Sequence, residues 1–215
     1  MGELGKFERK LPEDRRKALI DATLNCLARE GTAGLSIRKI STEAGISIGL
    51  INHHYAGKDE LISAAYEAFS LGLLDATRER IAAAGPEPRA RLSAYVAGLL
   101  SAPMLERGTL RIWVAFWSII ENSVPMLDVH DRTYAEYREL LAALLAEAGE
   151  KAKAPRIDTR LAAIALTAML DGLWLEWCIN PATFSPQEAI ALCENWIDAL
   201  FAGLMPRLLA SPDRN

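Results

Sequence analysis

The chain has 215 residues, 51% of them hydrophobic, with 24 Lys and Arg against 28 Asp and Glu and a net charge of −4. That is enough apolar content for one or two domains with a real core, and the acidic balance argues against a nonspecific nucleic-acid coat. Three scattered cysteines without a CxxC predict no disulfide framework and a reduced cytoplasm, no apolar run approaches the roughly 20 residues a bilayer needs, and the charged MGELGKFERK start is no signal peptide.

Charge is unevenly spread. Residues 1–62 hold ten Lys/Arg and nine Asp/Glu, a net of +1, and residues 63–215 hold fourteen and nineteen, a net of −5. A near-neutral front on an acidic body permits DNA contact at one end only.

In chain order, residues 1–12 read as a loose basic tail or a groove-entering arm with Lys6, Arg9 and Lys10. Glu13 to Glu30 is an amphipathic helix with Leu19, Ile20, Thr23, Leu24 and Leu27 inward, ended by Gly31 and Gly34. In SIRKISTEAGISIGLINHHYAGKDEL, apolar residues at Ile37, Ile40, Ala44, Ile46, Leu50 and Ile51 trace two short stripes. Ser36 and Ser47 stand where N-caps belong, and Gly45 stands where a sharp turn needs φ > 0. This is helix-turn-helix grammar, whose second helix lies in the DNA major groove, although an αα-corner has the same spacing. The second helix, Ile48 to Tyr55, carries short polar groups suited to a groove. Lys58 then stands in the first turn of the next helix, where the dipole disfavours a cation and a phosphate would explain it.

Gly57-Lys58 opens a long helix to about Ala83, stopped by Gly85-Pro86-Glu87-Pro88. Further helices are predicted at 87–100, 109–123, 127–149, 157–179 and 186–208, with a short turn near 103–107. The 157–179 segment is apolar nearly all round and must be covered on every side. With the similarly rich last helix it predicts a homodimer built as an intermolecular four-helix bundle. The fold class is therefore all-α, with an N-terminal three-helix head (residues 1–57) and a C-terminal helical effector-binding and dimerisation domain (residues 58–215).

All five tryptophans lie in the C-terminal half. Trp113, Trp117 and Glu121 share one helix face, Asp171 and Trp174 share another, and Tyr134 lies on a helix between. Asp171 is the only charge between Arg160 and Glu176, and a buried carboxylate is costly unless paired. The set reads either as an aromatic core with a satisfied acid or as a cage for a cation, with quaternary ammonium as the well-known guest. No catalytic triad, paired catalytic carboxylates, phosphate-binding glycine loop or metal spacing appears, so neither an enzyme nor a cofactor is expected. Adjacent His53 and His54 are not spaced to hold zinc from one helix face.

Gly31, SIRKIS, AGIS, Gly49, HHY and GKDEL resemble the N-terminal domain of TetR-family transcriptional regulators over about residues 13–62. The family's usual aromatic after the Gly-x-x step is Asn52 here and its usual Phe is Tyr55, so the operator sequence is not inherited from the family. LRIWVAFWSII, IALTAMLDGLWLEW and ATFSPQEAIAL are similar to the BetI subgroup, which extends the resemblance over most of residues 13–200. It implies repression of genes for choline uptake and conversion to glycine betaine, relieved by a choline-like cation. On operator DNA, Ser36, Arg38, Ser47, His54 and Lys58 are expected to position phosphates, and Gly49, Leu50, Asn52 and His53 to face bases. Two alternatives stay open at this point: a repressor of the same type sensing a polyamine or drug, and a helical small-molecule-binding protein with a vestigial helix-turn-helix.

Overall fold

A computed structural model describes residues 12–120, 123–205 and 208. Among them are nine α-helices: α1 (Pro12–Glu30), α2 (Ile37–Ala44), α3 (Ile48–His54), α4 (Lys58–Ala83), α5 (Pro88–Leu99), α6 (Arg107–Ile120), α7 (Val124–Lys151), α8 (Thr159–Ile179) and α9 (Pro186–Phe201), with a short 3-10 turn at Thr32–Gly34. The head is built as its capping residues require. Ser36 Oγ accepts from Lys39 N and Ser47 Oγ accepts from Leu50 N, so each short helix starts with one of its free amides satisfied. Gly45 closes α2 at φ 64°, ψ 28°, and its N–H returns to Ser41 and Thr42 carbonyls.

α1 buries Leu19, Ala22, Thr23, Cys26 and Leu27; Ile20 and Leu24, predicted inward, pack only partly against the core. Ile40 of α2 and Ile51 of α3 are fully buried against it. α4 is shared. Its first half puts Leu61, Ile62, Ala65 and Tyr66 into one core with the head, and that same core continues through Leu110, Trp113 and Phe116 of α6 to Trp174 of α8. Its second half puts Leu74 and Ile81 into another core, with α5, the distal part of α7, the start of α8 and α9. Apolar packing therefore does not divide at residue 57.

Three expectations move. α7 begins at Val124 rather than 127, because Pro125 sits in its first turn, where a missing N–H is harmless. α9 stops at Phe201 instead of 208, closed by Ala202 and by Gly203 at φ 75°. α8 is also long and apolar enough to cross a membrane by length and composition, with a mean hydropathy of 1.4 over its best window, contrary to the expectation that no segment would be. Asp171 interrupts that window near its middle. One face of α8 is buried through Ala162, Ala163, Leu166, Leu170 and Trp174, whereas Ile164, Leu175 and Ile179 are exposed. The predicted arm residues Lys6, Arg9 and Lys10 lie outside the described residues.

A Cβ added at Gly45 meets no atom within 4 Å, so backbone strain alone decides the outcome there. Gly45→Ala lowers the unfolding free energy by about 1–2 kcal/mol in urea denaturation. Gly49→Ala, in open space on a helix, leaves it unchanged or raises it by up to about 1 kcal/mol.

Candidate nucleic-acid interface and ligand pocket

Ile51 anchors α3 inward, which turns Gly49, Asn52 and His53 to the surface, with Leu50 half-buried beside them. Ser36, Arg38, Ser47 and Lys58 are exposed around this face. The serine caps use oxygen lone pairs, which leaves each O–H to donate to an anion. Neighbouring cations are already engaged: Arg29 pairs with Glu43 at 2.7 Å and Lys39 with Glu30. Arg38 and Lys58 form no ion pair with any described residue. Lys58 opens α4 beside Asp59 and Glu60, and Glu60 is turned back to accept from Ala56 N.

His54 departs from its expected place. Its ring lines a groove with Arg16 and Ile20 of α1 and Glu60 and Ala64 of α4, and its Nε2 is buried without a partner. Burial, then His53 and Arg16, pull its pKa below the usual histidine value. A neutral, inward-turned imidazole is poorly suited to hold a phosphate, so of the five positioning residues expected, four lie on the outer face.

In the body, five of the six expected ligand residues meet; Glu121 lies outside the described residues. Trp113 centres the cluster, its ring 6.1 Å from Trp117, 5.9 Å from Trp174 and 6.2 Å from Tyr134. Trp113, Tyr134, Asp171 and Trp174 line a cavity of about 50 Å³ together with Tyr95, Leu99, Met104, Tyr137, Thr167 and Leu170. Trp117 lies instead beside an open recess with Ile120 and His130, which shares Tyr134 and Asp171 with the cavity. Asp171 thus stands between an enclosed chamber and its mouth. Trp174 is fixed by its Nε1 donating to the Met104 carbonyl at 3.1 Å.

Asp171 makes no hydrogen bond or ion pair with any described residue. Burial pushes its carboxyl up to about 6, and the charge of Arg138 offsets this only in part. Arg138 itself lies 6.0 Å from the Tyr134 ring centre. Burial likewise raises the phenols of Tyr95, Tyr134 and Tyr137, so they remain protonated and present hydroxyls rather than charge. The chamber is therefore lined by aromatic rings and holds one acid, whose charge Arg138 offsets only in part. Sequence reasoning missed Tyr95, Met104 and Thr167. Thr167 was findable, because it lies four residues before Asp171 on the same face of α8; Tyr95 and Met104 arrive through long-range packing that leaves no local signal.

The chamber is joined to the head through Tyr66 of α4. Its hydroxyl meets His130 Nδ1 at 2.7 Å, and its ring lies 4.8 Å from Phe116 and 5.8 Å from Trp113. Further along α6, Arg111 donates to the Ala28 carbonyl at the end of α1 at 3.4 Å.

Comparisons with known proteins agree with this architecture. The family described as "Bacterial regulatory proteins, tetR family" matches residues 19–65, and that described as "BetI-type transcriptional repressor, C-terminal" matches residues 88–202. The HTH-type transcriptional regulator BetI of Paraburkholderia phytofirmans is 33% identical over 190 residues, 88% of this chain and 95% of its own. A transcriptional regulator from Pseudomonas aeruginosa PAO1 superposes with a TM-score of 0.86 at 44% identity, covering 96% of this chain and 100% of its own. A regulator from Saccharomonospora viridis, solved in complex with choline, shares the fold at a TM-score of 0.76 and 20% identity, over 86% of this chain and 96% of its own. The chain belongs to the TetR family and is a transcriptional repressor of the BetI type, not an enzyme.

Proposed function

We propose that this repressor is a cytoplasmic homodimer that binds operator DNA upstream of choline and glycine betaine genes and releases it when a choline-like cation fills the chamber. The observation that carries the effector reading is Asp171, a half-buried carboxylate among aromatic rings with no partner among the described residues. Indole faces attract a cation by about 0.5–2 kcal/mol each, more when dry, and a carboxylate at about 4 Å adds a few kcal/mol at an effective dielectric near 20. A quaternary ammonium gains both terms without needing a hydrogen-bond acceptor. The choline held by the S. viridis regulator supports this choice, since that protein has the same fold.

Ile164, Leu175 and Ile179 of α8 and Leu192 of α9 are exposed apolar residues on neighbouring helices, a surface suited to a second copy and to a two-fold four-helix interface. Two heads about one DNA turn apart, roughly 34 Å, would then read two half-sites. Arg38 and Lys58, with the Ser36 and Ser47 hydroxyls, would hold phosphates; Asn52 and His53 would face base edges, Asn52 able to pair with adenine.

A cavity of about 50 Å³ holds only a few waters and lies far below the roughly 300–1,000 Å³ of ordinary ligand sites. The ligand must spread Trp113 and Tyr134, and Trp113 is packed on Tyr66 and Phe69 of α4. The movement then reaches the head through α4 and through the Arg111–Ala28 contact.

A gel shift on DNA upstream of the gene, with and without choline, tests the whole: a retarded band that choline abolishes is expected, and a band indifferent to choline removes the effector assignment while leaving the repressor. Lys58→Ala weakens operator binding with melting unchanged, and lowers the slope of log K against log salt by about 1 per head.

The pKa of Asp171 fixes two signs. The folded carboxyl, at about 6, lies above its ordinary 3.8, so the folded state binds the proton more tightly, and stability falls as pH rises from about 4 to 6 and stays lower above. Asp171→Asn therefore raises the melting temperature of the unliganded protein at pH 7.5, by up to about 3 kcal/mol of unfolding free energy, and removes choline binding. In the wild type, choline affinity followed by calorimetry weakens as pH drops through about 6, approaching tenfold per unit.

A further inference from the structure

The chamber has a second polar end that a bare cation does not use. Trp113, only 4% exposed, buries its Nε1 without a hydrogen-bond partner, and Thr167 buries its Oγ1 in the same state. Both line the cavity with Asp171. A buried donor left unpaired is destabilising, and natural interiors contain few of them. Two such atoms on residues that line one small cavity mark a place that a ligand parting those side chains would satisfy.

Thr167 also differs from most threonines inside the helices, Thr109 and Thr159 in the first turns of α6 and α8 apart. Thr23, Thr42, Thr77 and Thr133 each donate to a carbonyl one turn back, at 2.8–3.0 Å, the usual fate of a threonine hydroxyl inside a helix. Thr167 makes no such bond, so its hydroxyl is left without a partner. The Trp174 indole, in contrast, is already satisfied by the Met104 carbonyl, which leaves Trp113 as the tryptophan donor of the chamber.

We propose that Thr167 and Trp113 Nε1 recognise an uncharged hydroxyl on the effector, so that the site selects an amino alcohol over the same cation without oxygen. This rests on the cationic effector proposed above. Thr167 and Asp171 are one helical turn apart, about 6 Å along α8, a span that a hydroxyl two or three bonds from the positive centre can bridge. A hydroxyl accepts from the indole N–H and can donate to, or accept from, the threonine oxygen, which satisfies both orphans at once. A carboxylate at that end would be rejected. It would stand one turn from Asp171, and among the described residues no Lys, Arg or His lines the chamber to balance it. The repressor would thus answer to the alcohol and ignore the acid that oxidation of that alcohol yields.

The test is calorimetric titration of the full-length protein with choline, tetramethylammonium and glycine betaine, on wild type, Thr167→Val and Thr167→Ser. Wild type should bind choline about tenfold tighter than tetramethylammonium, the worth of one or two buried hydrogen bonds, and glycine betaine most weakly. Thr167→Val should bring the choline-to-tetramethylammonium ratio close to one with tetramethylammonium affinity unchanged, and Thr167→Ser should restore the preference. A wild-type ratio near one, or a ratio that survives Thr167→Val, overturns the hydroxyl subsite and leaves the cation reading standing. If none of the three compounds binds, the cation reading falls and the subsite with it.

Discussion

The structure depends on an apolar core that runs without a break from the candidate DNA-reading face to the aromatic chamber. Ile51, which fixes the roll of α3, and Trp174, which walls the cavity, belong to the same packed cluster, and α4 threads through it. Tyr66 is its hinge pin. It is fully buried, it touches α6 through Phe116 and Trp113, and it reaches α7 through His130. Interiors packed at crystal-like density transmit displacement rather than absorb it. A shift of the Trp113 ring therefore cannot be relieved locally, because its neighbours on α4 are the same residues that seat the head.

Against that continuity the polar groups of the chamber stand out. Thr167 Oγ1 and Trp113 Nε1 are withdrawn from water, Asp171 is half-buried, and none of the three has a partner among the described residues. A chain under selection for stability alone would fill those positions with apolar side chains or pair them. Elsewhere this chain does pair its charges, as with Arg89 between Glu194 and Asp198, and Arg91 with Glu147. His54 Nε2, Ser63 Oγ and Ser70 Oγ are buried without partners too, but among the described residues only the aromatic cavity sets such groups beside an unpaired carboxylate, the pattern expected where stability has been traded for recognition.

The head was legible because its signals are local. Ser36, Gly45 and Ser47 each fix a cap or turn within four residues of themselves, and each does so in the structure as its chemistry requires. The aromatic pairing of Trp113 with Trp117 was legible for the same reason, since helical periodicity places them on one face. Helix ends were less so: Pro125 reads as a breaker or as a first-turn residue with equal justice, and only packing decides. His54 shows the limit most clearly. Its sequence neighbourhood suggests an outward polar residue, yet the groove between α1 and α4 takes its ring, a tertiary fact with no local trace. Tyr95 and Met104 entered the chamber in the same unannounced way.

The small size of the chamber bears on how such a repressor could switch. A ligand moves an equilibrium only by its unequal affinity for two states, and carrying a population from 1:99 to 99:1 takes about 5.5 kcal/mol. A preformed roomy pocket would bind the effector equally well with heads aligned or splayed and would shift nothing. A cavity of about 50 Å³ with tryptophan rings in mutual contact makes the two states unequal, because the ligand fits only once the rings have parted. In a two-fold dimer both chambers contribute, so each needs to supply about half of that difference, within reach of a few ring contacts and one desolvated carboxylate. Under the proposed function, a chamber this small is what would give ligand binding its leverage over the distance between the heads.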